Sequence, residues 1–433
     1  MKGHILLLGI AVFALGVVSA LENGLARKPP MGWMTWQRFR CITDCNKYPD
    51  ECISEALIKR MADLMVSEGY LDAGYDYVNI DDCWSMMERD ADGVLWPNPE
   101  RFPNGMKHLA DYVHSKGLKF GIYQDIGTNT CAGYPGMRDF YEIDAKTFAE
   151  WEVDFIKVDG CYADAVKMVE DYVLLGEIMN KTGRPILYSC SWPAYQEEED
   201  IIPDYETLKK TCNMWRNWDD IEDSHSSVER ITKYFSDNQY RIQPHSGPGH
   251  WNDPDTLILG NYGLSYEQSK SQLAVWTVLA APLLLSNDLA TVTPEIKELL
   301  LNREIIAVDQ DPMGIQGRYV QTIRNIEIWK RPILPKVKEV YTHAIAFVSR
   351  RADGAPYAIE VNLVEDLGLR INSSIKGYKV YDLFQTDRKP VFVRANGTFE
   401  TRVNPTGANF YRFVPVVRNT RYGKHGSSAG NSV

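Results

Sequence analysis

One stretch of the chain brings a cation and a carboxylate together at a point where they could do chemistry. Residues 154–162 read Asp-Phe-Ile-Lys-Val-Asp-Gly-Cys-Tyr, and the apolar, partly β-branched residues among them predict a buried parallel strand ending at Gly160. Because side chains alternate along a strand, Lys157 and Asp159 point to the same side at its C-terminal end. A carboxylate beside an ammonium stays ionised, which makes Asp159 a candidate nucleophile. A strand-end ion pair without catalysis would show the same local pattern.

Most of the other predicted strands are also followed by acidic, aromatic or cationic residues. Carboxylates accept hydrogen bonds from hydroxyl groups, and a tryptophan face packs against the C–H side of a pyranose ring. The shared position of these residues at strand ends therefore predicts a sugar pocket, although each alone could be a helix cap or a turn. The residues are Trp36, Asp81, Asp82, Trp84, Tyr123, Asp125, Ser191, Arg216, Trp218, Asp220, Asp253 and Asp255.

A second carboxylate is needed to hydrolyse a glycosidic bond. The segment Arg216-Asn217-Trp218-Asp219-Asp220 offers two candidates. Alternation along a strand puts Arg216, Trp218 and Asp220 on one face and Asp219 on the other. If Arg216 and Trp218 face the pocket, Asp220 is the acid/base and Asp219 has a structural role.

A metal site is a weaker interpretation of the same acidic residues. Asp81, Asp82, Asp159 and Asp220 could supply oxygen ligands. Lys157 and Arg216 already neutralise part of this charge, so we expect no metal. The histidines do not favour zinc either, because no two of the 8 show an H-x3-H spacing.

The order of the predicted elements indicates a closed α/β fold. Strand-like runs alternate with amphipathic helices that carry start and stop signals, such as Asp50 before the second helix and Ser265 with Gln268 as a capping box. Eight such units predict a (β/α)8 TIM barrel, whose active site lies at the carboxyl ends of the strands. A doubly wound open sheet is the alternative, but no G-x-G-x-x-G follows the first strand. The predicted strands are 31–36, 75–84, 119–126, 154–160, 184–192, 213–220, 250–255 and 283–288.

The pattern changes near residue 317, where short strands without long helices begin. They predict a C-terminal antiparallel β-sandwich domain. We therefore divide the chain into a signal peptide (1–20), the catalytic barrel (21–317), the sandwich (318–416) and a disordered tail rich in Gly, Ser and Asn (417–433). The predicted strands of the sandwich are 323–329, 344–348, 357–361, 378–383, 391–394 and 409–413.

Charge and composition indicate which partners are excluded and in which compartment the protein is expected. A net charge of −11 argues against nucleic acid as a partner. Residues 1–20 have the basic start, apolar core and small-residue cleavage site of a secretory signal. The remaining apolar run, 273–285, is too short for a membrane span. The 8 cysteines therefore predict disulfides, and Asn180, Asn372 and Asn396 are predicted glycosylation sites.

Several long motifs together identify a family. The mature chain contains LENGLARKPPMGWMTW, NIDDCW, HSKGLKFGIY, TCAGYPG, KVDGCY, YSCSWPAY, RNWDDIEDS, GPGHWNDPD and VDQDPMGIQG. With these motifs it resembles the lysosomal α-galactosidase and α-N-acetylgalactosaminidase family of retaining glycosidases over the whole barrel. The resemblance implies a barrel followed by a sandwich, no metal or cofactor, a homodimer, and a lysosomal or secreted destination.

The resemblance also implies roles for individual residues. It makes Asp159 the nucleophile and Asp220 the acid/base, in agreement with the alternation argument. It implies four disulfides, Cys41–Cys83, Cys45–Cys52, Cys131–Cys161 and Cys190–Cys212. The implied sugar-binding residues are Trp36, Asp81, Asp82, Tyr123, Lys157, Ser191, Ala194, Tyr195, Arg216 and Asp255.

Substrate choice is expected to depend on Ser191 and Ala194. In the family, the loop that contains them lies over the C2 substituent of the sugar, and α-galactosidases carry a Glu and a Leu there. The small residues of this chain favour terminal α-N-acetylgalactosamine (GalNAc), although they would also suit a tight turn around Pro193. The alternatives are an α-galactosidase and, from another class, a secreted carbohydrate-binding protein on an inactive barrel. A binding protein has no need of both Asp159 and Asp220, which weighs against it.

Overall fold

The computed structural model of the protein describes residues 23–418. The predicted signal peptide and the part of the predicted tail from residue 419 onward lie outside the described residues. In the described part of the chain, no helix combines the length and the apolar character needed to cross a membrane.

Eight parallel strands form the first structural unit, as the sequence predicts. They are hydrogen-bonded in the order β7-β6-β5-β4-β3-β2-β1-β8, and a parallel bridge between Leu257 and Leu285 links the two ends of the sheet into a barrel. The observed strands are shorter than the predicted ones because the chain turns away from the sheet at the barrel mouth. They are β1 (Met31–Met34), β2 (Tyr77–Asn79), β3 (Lys119–Asp125), β4 (Phe155–Asp159), β5 (Leu187–Cys190), β6 (Met214–Arg216), β7 (Trp251–Asp253) and β8 (Leu283–Leu285).

The interior of the barrel is filled by large side chains from its strands. Phe155 of β4 packs there with Leu187, Met214 and Trp251. Because successive residues of a strand alternate between its two sides, Lys157 and Asp159 follow Phe155 on the inner side and reach the mouth. The packed interior thus fixes the direction of the functional side chains.

Helices surround the barrel and follow its strands. The capping box of Ser265 and Gln268 is present at the start of the buried helix α10, as predicted. The predicted cap at Asp50 is wrong, because the second helix begins four residues later, where Ser54 accepts a hydrogen bond from the Leu57 backbone N–H. The helices are α1 (Trp36–Phe39), α2 (Glu55–Ser67), α3 (Tyr70–Ala73), α4 (Gly105–Ser115), α5 (Tyr141–Glu150), α6 (Met168–Lys181), α7 (Trp192–Glu198), α8 (Tyr205–Thr211), α9 (His225–Ile242), α10 (Tyr266–Leu279), α11 (Pro294–Leu300) and α12 (Arg303–Asp309).

The C-terminal unit is antiparallel throughout. Six of its strands form one sheet in the order β14-β13-β16-β11-β10-β9, and β12 pairs with β15 in a second sheet. An apolar core that includes Ile328, Ile359 and Phe399 lies between the two sheets. The strands are β9 (Arg318–Ile323), β10 (Ile326–Val337), β11 (Val340–Ser349), β12 (Tyr357–Asn362), β13 (Ile375–Asp382), β14 (Val391–Arg394), β15 (Thr398–Val403) and β16 (Ala408–Val417).

The prediction of a single strand over 323–329 is wrong. A hairpin turn interrupts it, since Arg324 and Asn325 both have positive φ, 49° and 63°. Two such residues in succession are typical of the tight turn that joins adjacent antiparallel strands. Alternating apolar residues on both sides of the turn made it look continuous, and the strand before it, β9, was missed.

The barrel and the sandwich share a continuous apolar core. Trp329 and Phe410, from the large sheet of the sandwich, belong to the same buried cluster as Trp276 of α10. Buried Arg331 strengthens the junction by donating to the backbone oxygens of Thr277 and Asp309, at 2.9 and 3.0 Å. The two units are therefore packed as one body.

Three of the four disulfides lie in loops that follow β1, β2, β3 and β4, and the fourth, Cys190–Cys212, joins the end of β5 to the residue after α8. The pairs are those that the family resemblance implies: Cys41–Cys83, Cys45–Cys52, Cys131–Cys161 and Cys190–Cys212. Cys161 follows β4 by two residues, so its disulfide fixes the loop next to Asp159.

Candidate active site

A cavity of about 340 Å³ opens at the carboxyl ends of the barrel strands. Carboxylates and aromatic side chains dominate its wall, as expected of a pocket for a polar, hydroxyl-rich ligand. It is lined by Trp36, Asp81, Tyr123, Cys131, Lys157, Asp159, Cys161, Ser191, Ala194, Tyr195, Glu198, Arg216, Trp218, Asp219 and Asp220.

Two tyrosine hydroxyl groups hold the carboxylate of Asp159. Tyr195 donates to Oδ1 at 2.8 Å, and Tyr123 donates to Oδ2 at 3.1 Å. The backbone N–H of Gly160 also donates to Oδ1, at 3.1 Å. Gly160 is required here, since a Cβ at this position would lie 2.8 Å from the ring of Tyr195. These contacts fix the carboxylate while leaving it open to the cavity.

Asp125, one of the strand-end residues from which the sugar pocket is predicted, lies beside Asp159 but does not line the cavity. The two aspartates are register partners at the ends of β3 and β4. Burial and, after it, the charge of Asp159 raise the pKa of Asp125 to about 9, which favours the neutral form of Asp125. Its oxygens accept from the backbone N–H groups of Gly127 and Cys161, at 2.7 and 2.9 Å. Asp125 therefore joins the loops after β3 and β4 without adding a second charge.

Lys157 contacts a different carboxylate from the one predicted. Its ammonium donates to Oδ2 of Asp81 at 2.8 Å, and both side chains are largely buried. Burial disfavours the ammonium, but Asp81 and then Asp159 outweigh it and raise the pKa of Lys157. Lys157 thus stays charged close to Asp159. The hydrogen bonds to Asp159, however, come from tyrosine hydroxyls and not from this ammonium.

Asp82 and Asp255, both predicted to bind sugar, are not among the residues that line the cavity. Asp82 accepts hydrogen bonds from the backbone of Cys83 and Ala132, at 2.6 and 2.9 Å. Asp255 accepts from the backbone N–H of Ile221 at 2.9 Å. These contacts give Asp82 and Asp255 the role of fixing loops at the mouth.

Arg216 connects two carboxylates at the opposite side of the cavity. Its guanidinium lies 2.9 Å from Asp220 and 3.1 Å from Asp255. Arg216 is buried, whereas the side chain of Asp220 is 69% exposed. The protein around the mouth of the cavity partly desolvates the Asp220 carboxylate and tends to raise its pKa, but the charges of Arg216 and Lys157 outweigh this effect and lower the pKa. In the free protein Asp220 is therefore a carboxylate at neutral pH.

The alternation argument for Asp219 and Asp220 does not apply to the structure. Strand β6 ends at Arg216, and the following residues form a loop that brings both carboxylates to the cavity. They differ in their partners, since Asp219 accepts from exposed Arg230 at 3.0 Å. Trp218 also lines the cavity, and its ring stacks on Tyr234 at 5.0 Å.

The segment after β5 forms another side of the cavity. Buried Ser191 is the residue before α7, and Ala194 lies in its first turn, so two small side chains face the cavity. Glu198, at the end of the same helix, also lines the cavity and was missed by the sequence analysis. The spacing would have indicated this residue, because Glu198 lies four residues after Ala194 and three after Tyr195 and so shares their face of a helix.

Two clusters among residues 23–418 bring three potential metal ligands together. One consists of Asp125 with Cys131 and Cys161, whose sulfur atoms are joined in a disulfide and so are not thiolate ligands. The other, Asp111 with His114 and Glu152, lies outside the cavity. Neither cluster includes Asp159 or Asp220.

Comparison with protein families gives two matches that together cover most of the chain. The family model described as Alpha galactosidase A matches residues 28–311. The model of the Alpha galactosidase A C-terminal beta sandwich domain matches residues 314–407.

Individual relatives agree with this result. The chain is 48% identical to an α-N-acetylgalactosaminidase of Gallus gallus over 91% of this chain and 95% of that protein. It is 46% identical to α-galactosidase A of Homo sapiens over 90% of this chain and 89% of that protein. Among solved structures, α-galactosidase I of Mortierella vinacea superposes with a TM-score of 0.77, at 27% identity, over 90% of this chain and 98% of that one.

The contact between Tyr195 and Asp159 predicts a loss of activity on substitution. Tyr195→Phe removes a hydrogen bond to a charged group, which contributes about 1.5–3 kcal/mol. We expect kcat/KM on a chromogenic α-glycoside to fall roughly tenfold or more, with the melting temperature little changed. Tyr123→Phe, at the longer distance of 3.1 Å, is the matched comparison and should have the smaller effect. Equal activity of the wild type and Tyr195→Phe would show that this contact does not position Asp159.

The lowered pKa of Asp220 predicts an acidic pH optimum. If Asp220 is the general acid, as predicted, it must be protonated to act. Because kcat/KM reports the free enzyme, kcat/KM then falls as the pH rises through the pKa of Asp220. Arg40, exposed next to Trp36, also lowers this pKa. Arg40→Gln should therefore raise the pKa of Asp220 and move the alkaline limb of the kcat/KM profile to higher pH by about 0.2–0.5 pH unit.

Arg394→Gln provides the control for this shift. Arg394 is an exposed residue of β14 in the sandwich, so its loss changes the net charge equally without acting on the cavity. A shift in the opposite direction for Arg40→Gln, or an equal shift for both variants, would contradict the assignment of the alkaline limb to Asp220.

Proposed function

The chain belongs to the alpha-galactosidase A family, and we propose that it is a retaining exo-glycosidase that hydrolyses terminal α-linked GalNAc. The observation that carries this proposal is the presence of two carboxylates, Asp159 and Asp220, and two small residues, Ser191 and Ala194, around one cavity. Parallel assays of chromogenic α-GalNAc and α-galactose glycosides test it. Faster hydrolysis of the α-galactoside would make the protein an α-galactosidase instead.

In the proposed mechanism the two carboxylates act in turn. Asp159 attacks the anomeric carbon while protonated Asp220 delivers its proton to the leaving oxygen. Water activated by Asp220 then hydrolyses the glycosyl-enzyme and restores the starting configuration. Tyr123 and Tyr195 keep the attacking carboxylate in place, because each donates to one of its oxygens.

The two cations of the cavity stabilise this arrangement. Lys157 neutralises Asp81, so a buried carboxylate can face the sugar hydroxyls next to Asp159. Arg216 lies against Asp220 and holds it near the position where the leaving group departs. Trp36 and Trp218 supply apolar surface for the C–H face of the sugar.

Specificity for the C2 substituent rests on the residues at the start of α7. Overall identity does not decide between the two substrates, since the chain is 48% identical to one α-N-acetylgalactosaminidase and 46% identical to one α-galactosidase A. Ala194 leaves space for the methyl of an acetamido group, and Ser191 places a hydroxyl near its amide. Both side chains line the cavity, which fits this role.

Activity on α-galactosides is expected as a side reaction. A pocket that accepts the acetamido group does not exclude the smaller hydroxyl, because the missing group costs only the contacts that it would have made. Such a preference, where it comes mainly from apolar contact, corresponds to about 1–3 kcal/mol.

The same proposal extends to the destination and assembly of the protein. The three sequon asparagines, Asn180, Asn372 and Asn396, are all exposed, as N-glycosylation requires. Together with the predicted signal peptide, they support a lysosomal or secreted glycoprotein. A homodimer is the assembly that the family resemblance implies.

The mechanism predicts unequal effects for the two neighbouring acids. Asp220→Asn removes the proton donor and should lower kcat by roughly a hundredfold or more on substrates with a poor leaving group. Asp219→Asn removes only a carboxylate paired with exposed Arg230, and we expect a change of less than about tenfold. Asp159→Asn serves as the reference for complete loss. If Asp219→Asn were the more damaging change, the acid/base would have to be reassigned.

The pocket around Ser191 and Ala194 predicts a change of substrate on substitution. Ser191→Glu combined with Ala194→Leu fills the space for the acetamido group and should move the preference towards α-galactosides, measured as the ratio of the two kcat/KM values. Glu199→Gln, a change on the exposed end of the same segment, is the control and should leave the ratio unchanged. A double variant that kept its preference for α-GalNAc would contradict the role of these two residues.

A further inference from the structure

A second cavity lies where the sandwich meets the barrel. Its volume, about 360 Å³, is close to that of the catalytic cavity, and the two have no lining residue in common. Three of its residues are cationic, which is unusual for a protein of net charge −11. The cavity is lined by Gln243, Ile315, Arg318, Lys330, Pro332, Glu339, Tyr341, His343, Gly368 and Arg370.

Two of the cations face each other across the sheet. Arg318 of β9 and Lys330 of β10 are direct register partners in an antiparallel pair. Like charges in this arrangement repel each other and destabilise the sheet. Arg370, in the segment that faces the end of this pair, adds a third positive charge to the same cavity.

Lys330 is buried, and its ammonium contacts only neutral groups. It is 8% exposed and donates to the backbone oxygens of Leu367 and Gly368, at 2.7 and 3.1 Å. Burial and, after it, the charge of Arg318 lower its pKa to about 8. At the acidic pH expected for this enzyme, Lys330 is therefore charged and has one N–H left to donate.

No carboxylate within the described chain compensates these charges. Between residues 23 and 418, no Asp or Glu oxygen lies within 4.0 Å of the side-chain nitrogens of Lys330, Arg318 or Arg370. Glu339, the one acidic residue of the lining, is paired with Lys336 at 2.8 Å. The cations therefore face the cavity without a counter-ion from the protein.

One ring nitrogen of a buried histidine at this cavity also lacks a hydrogen-bond partner among the described residues. His343 is 9% exposed, and its Nδ1 has no hydrogen-bond partner among the described residues. His343 is the register partner of Pro332, and Pro332 lies two residues after Lys330 on the same strand. Because side chains alternate along a strand, His343 and Lys330 lie on the same face of the sheet. A ligand in the cavity would supply the contact that His343 lacks.

We propose that this cavity binds a tetrahedral oxyanion, a phosphate or sulfate group, either as the free ion or as the monoester of a small sugar. Arginine side chains bind such groups through two parallel N–H donors, and Lys330 adds a point charge from the buried side. A doubly charged group compensates three cations better than a single carboxylate does. The volume exceeds that of an inorganic ion and lies within the range of small-ligand sites.

Binding to the full-length protein can be measured by calorimetry at pH 7, where a phosphate monoester is mainly doubly charged and Lys330, with a pKa of about 8, is still mainly protonated. The probes are inorganic phosphate, inorganic sulfate and glucose 6-phosphate, with glucose as the neutral control and sodium chloride at equal ionic strength as the control for screening. We expect the anionic probes to bind with a Kd of about 1 mM or below, and glucose and chloride to give no saturable heat. If inorganic phosphate binds more tightly than glucose 6-phosphate, the cavity takes the free ion. If glucose 6-phosphate binds more tightly, the cavity takes the monoester of a sugar.

Variants of the exposed arginines locate the site. Arg318→Gln combined with Arg370→Gln should weaken binding at least about tenfold, whereas Arg394→Gln, which lies outside the cavity, should not change it. Glucose that binds as well as glucose 6-phosphate would overturn the proposal. So would anion binding that survives in the double variant, or equal heats for phosphate and chloride.

The test is independent of the glycosidase assignment. Binding is measured without a glycoside, and the double variant should keep the wild-type rate on a chromogenic α-GalNAc substrate. Absence of hydrolysis would therefore count against the proposed enzyme function only. Absence of anion binding would count against the second site only.

Discussion

Two buried cations allow several carboxylates to share the mouth of one barrel. Lys157 pairs with Asp81 at 2.8 Å, and Arg216 lies 2.9 Å from Asp220. Burial and mutual repulsion raise the pKa of an acidic group without such a partner, as at Asp125, and burial raises the pKa of Asp81 even though Lys157 opposes it. The charge that the cavity presents to a sugar therefore depends on these two ion pairs. Since each cation projects from a barrel strand, the fold of the barrel and the ionisation of the site are linked.

Asp159 is supported in a different way, by neutral donors. The hydroxyls of Tyr123 and Tyr195 hold its two oxygens, and protonated Asp125 stands beside it. Neutral donors orient a carboxylate without the strong neutralisation that a direct ion pair would bring, so it remains able to attack. The disulfide Cys131–Cys161 joins the loops that follow β3 and β4, next to this carboxylate. One half of the cavity is thus organised by charge and the other by hydrogen bonds and covalent linkage.

The sequence predicted the barrel and most of the cavity because both depend on regular alternation along buried strands. It failed where the chain leaves the strands. The face assignment of Asp219 assumed a strand over 213–220, whereas β6 ends at Arg216. The predicted strand over 323–329 crossed a two-residue turn. The partner of Lys157 was also missed, because Asp81 lies after β2 and is distant in sequence from β4. Such contacts depend on side-chain packing between strands, for which residue types and spacing give no signal.

The apolar core that the barrel shares with the sandwich makes the two units one cooperative folding body. Trp329 and Phe410 of the sandwich belong to the same buried cluster as Trp276 of the barrel helix α10. Removing the sandwich would expose this surface and leave α10 without cover, so the catalytic unit cannot be separated as a shorter enzyme. For the same reason, a substitution deep in the sandwich lowers the amount of folded enzyme even though it touches nothing near the substrate. Inherited or engineered changes far from the cavity therefore act on abundance rather than on chemistry.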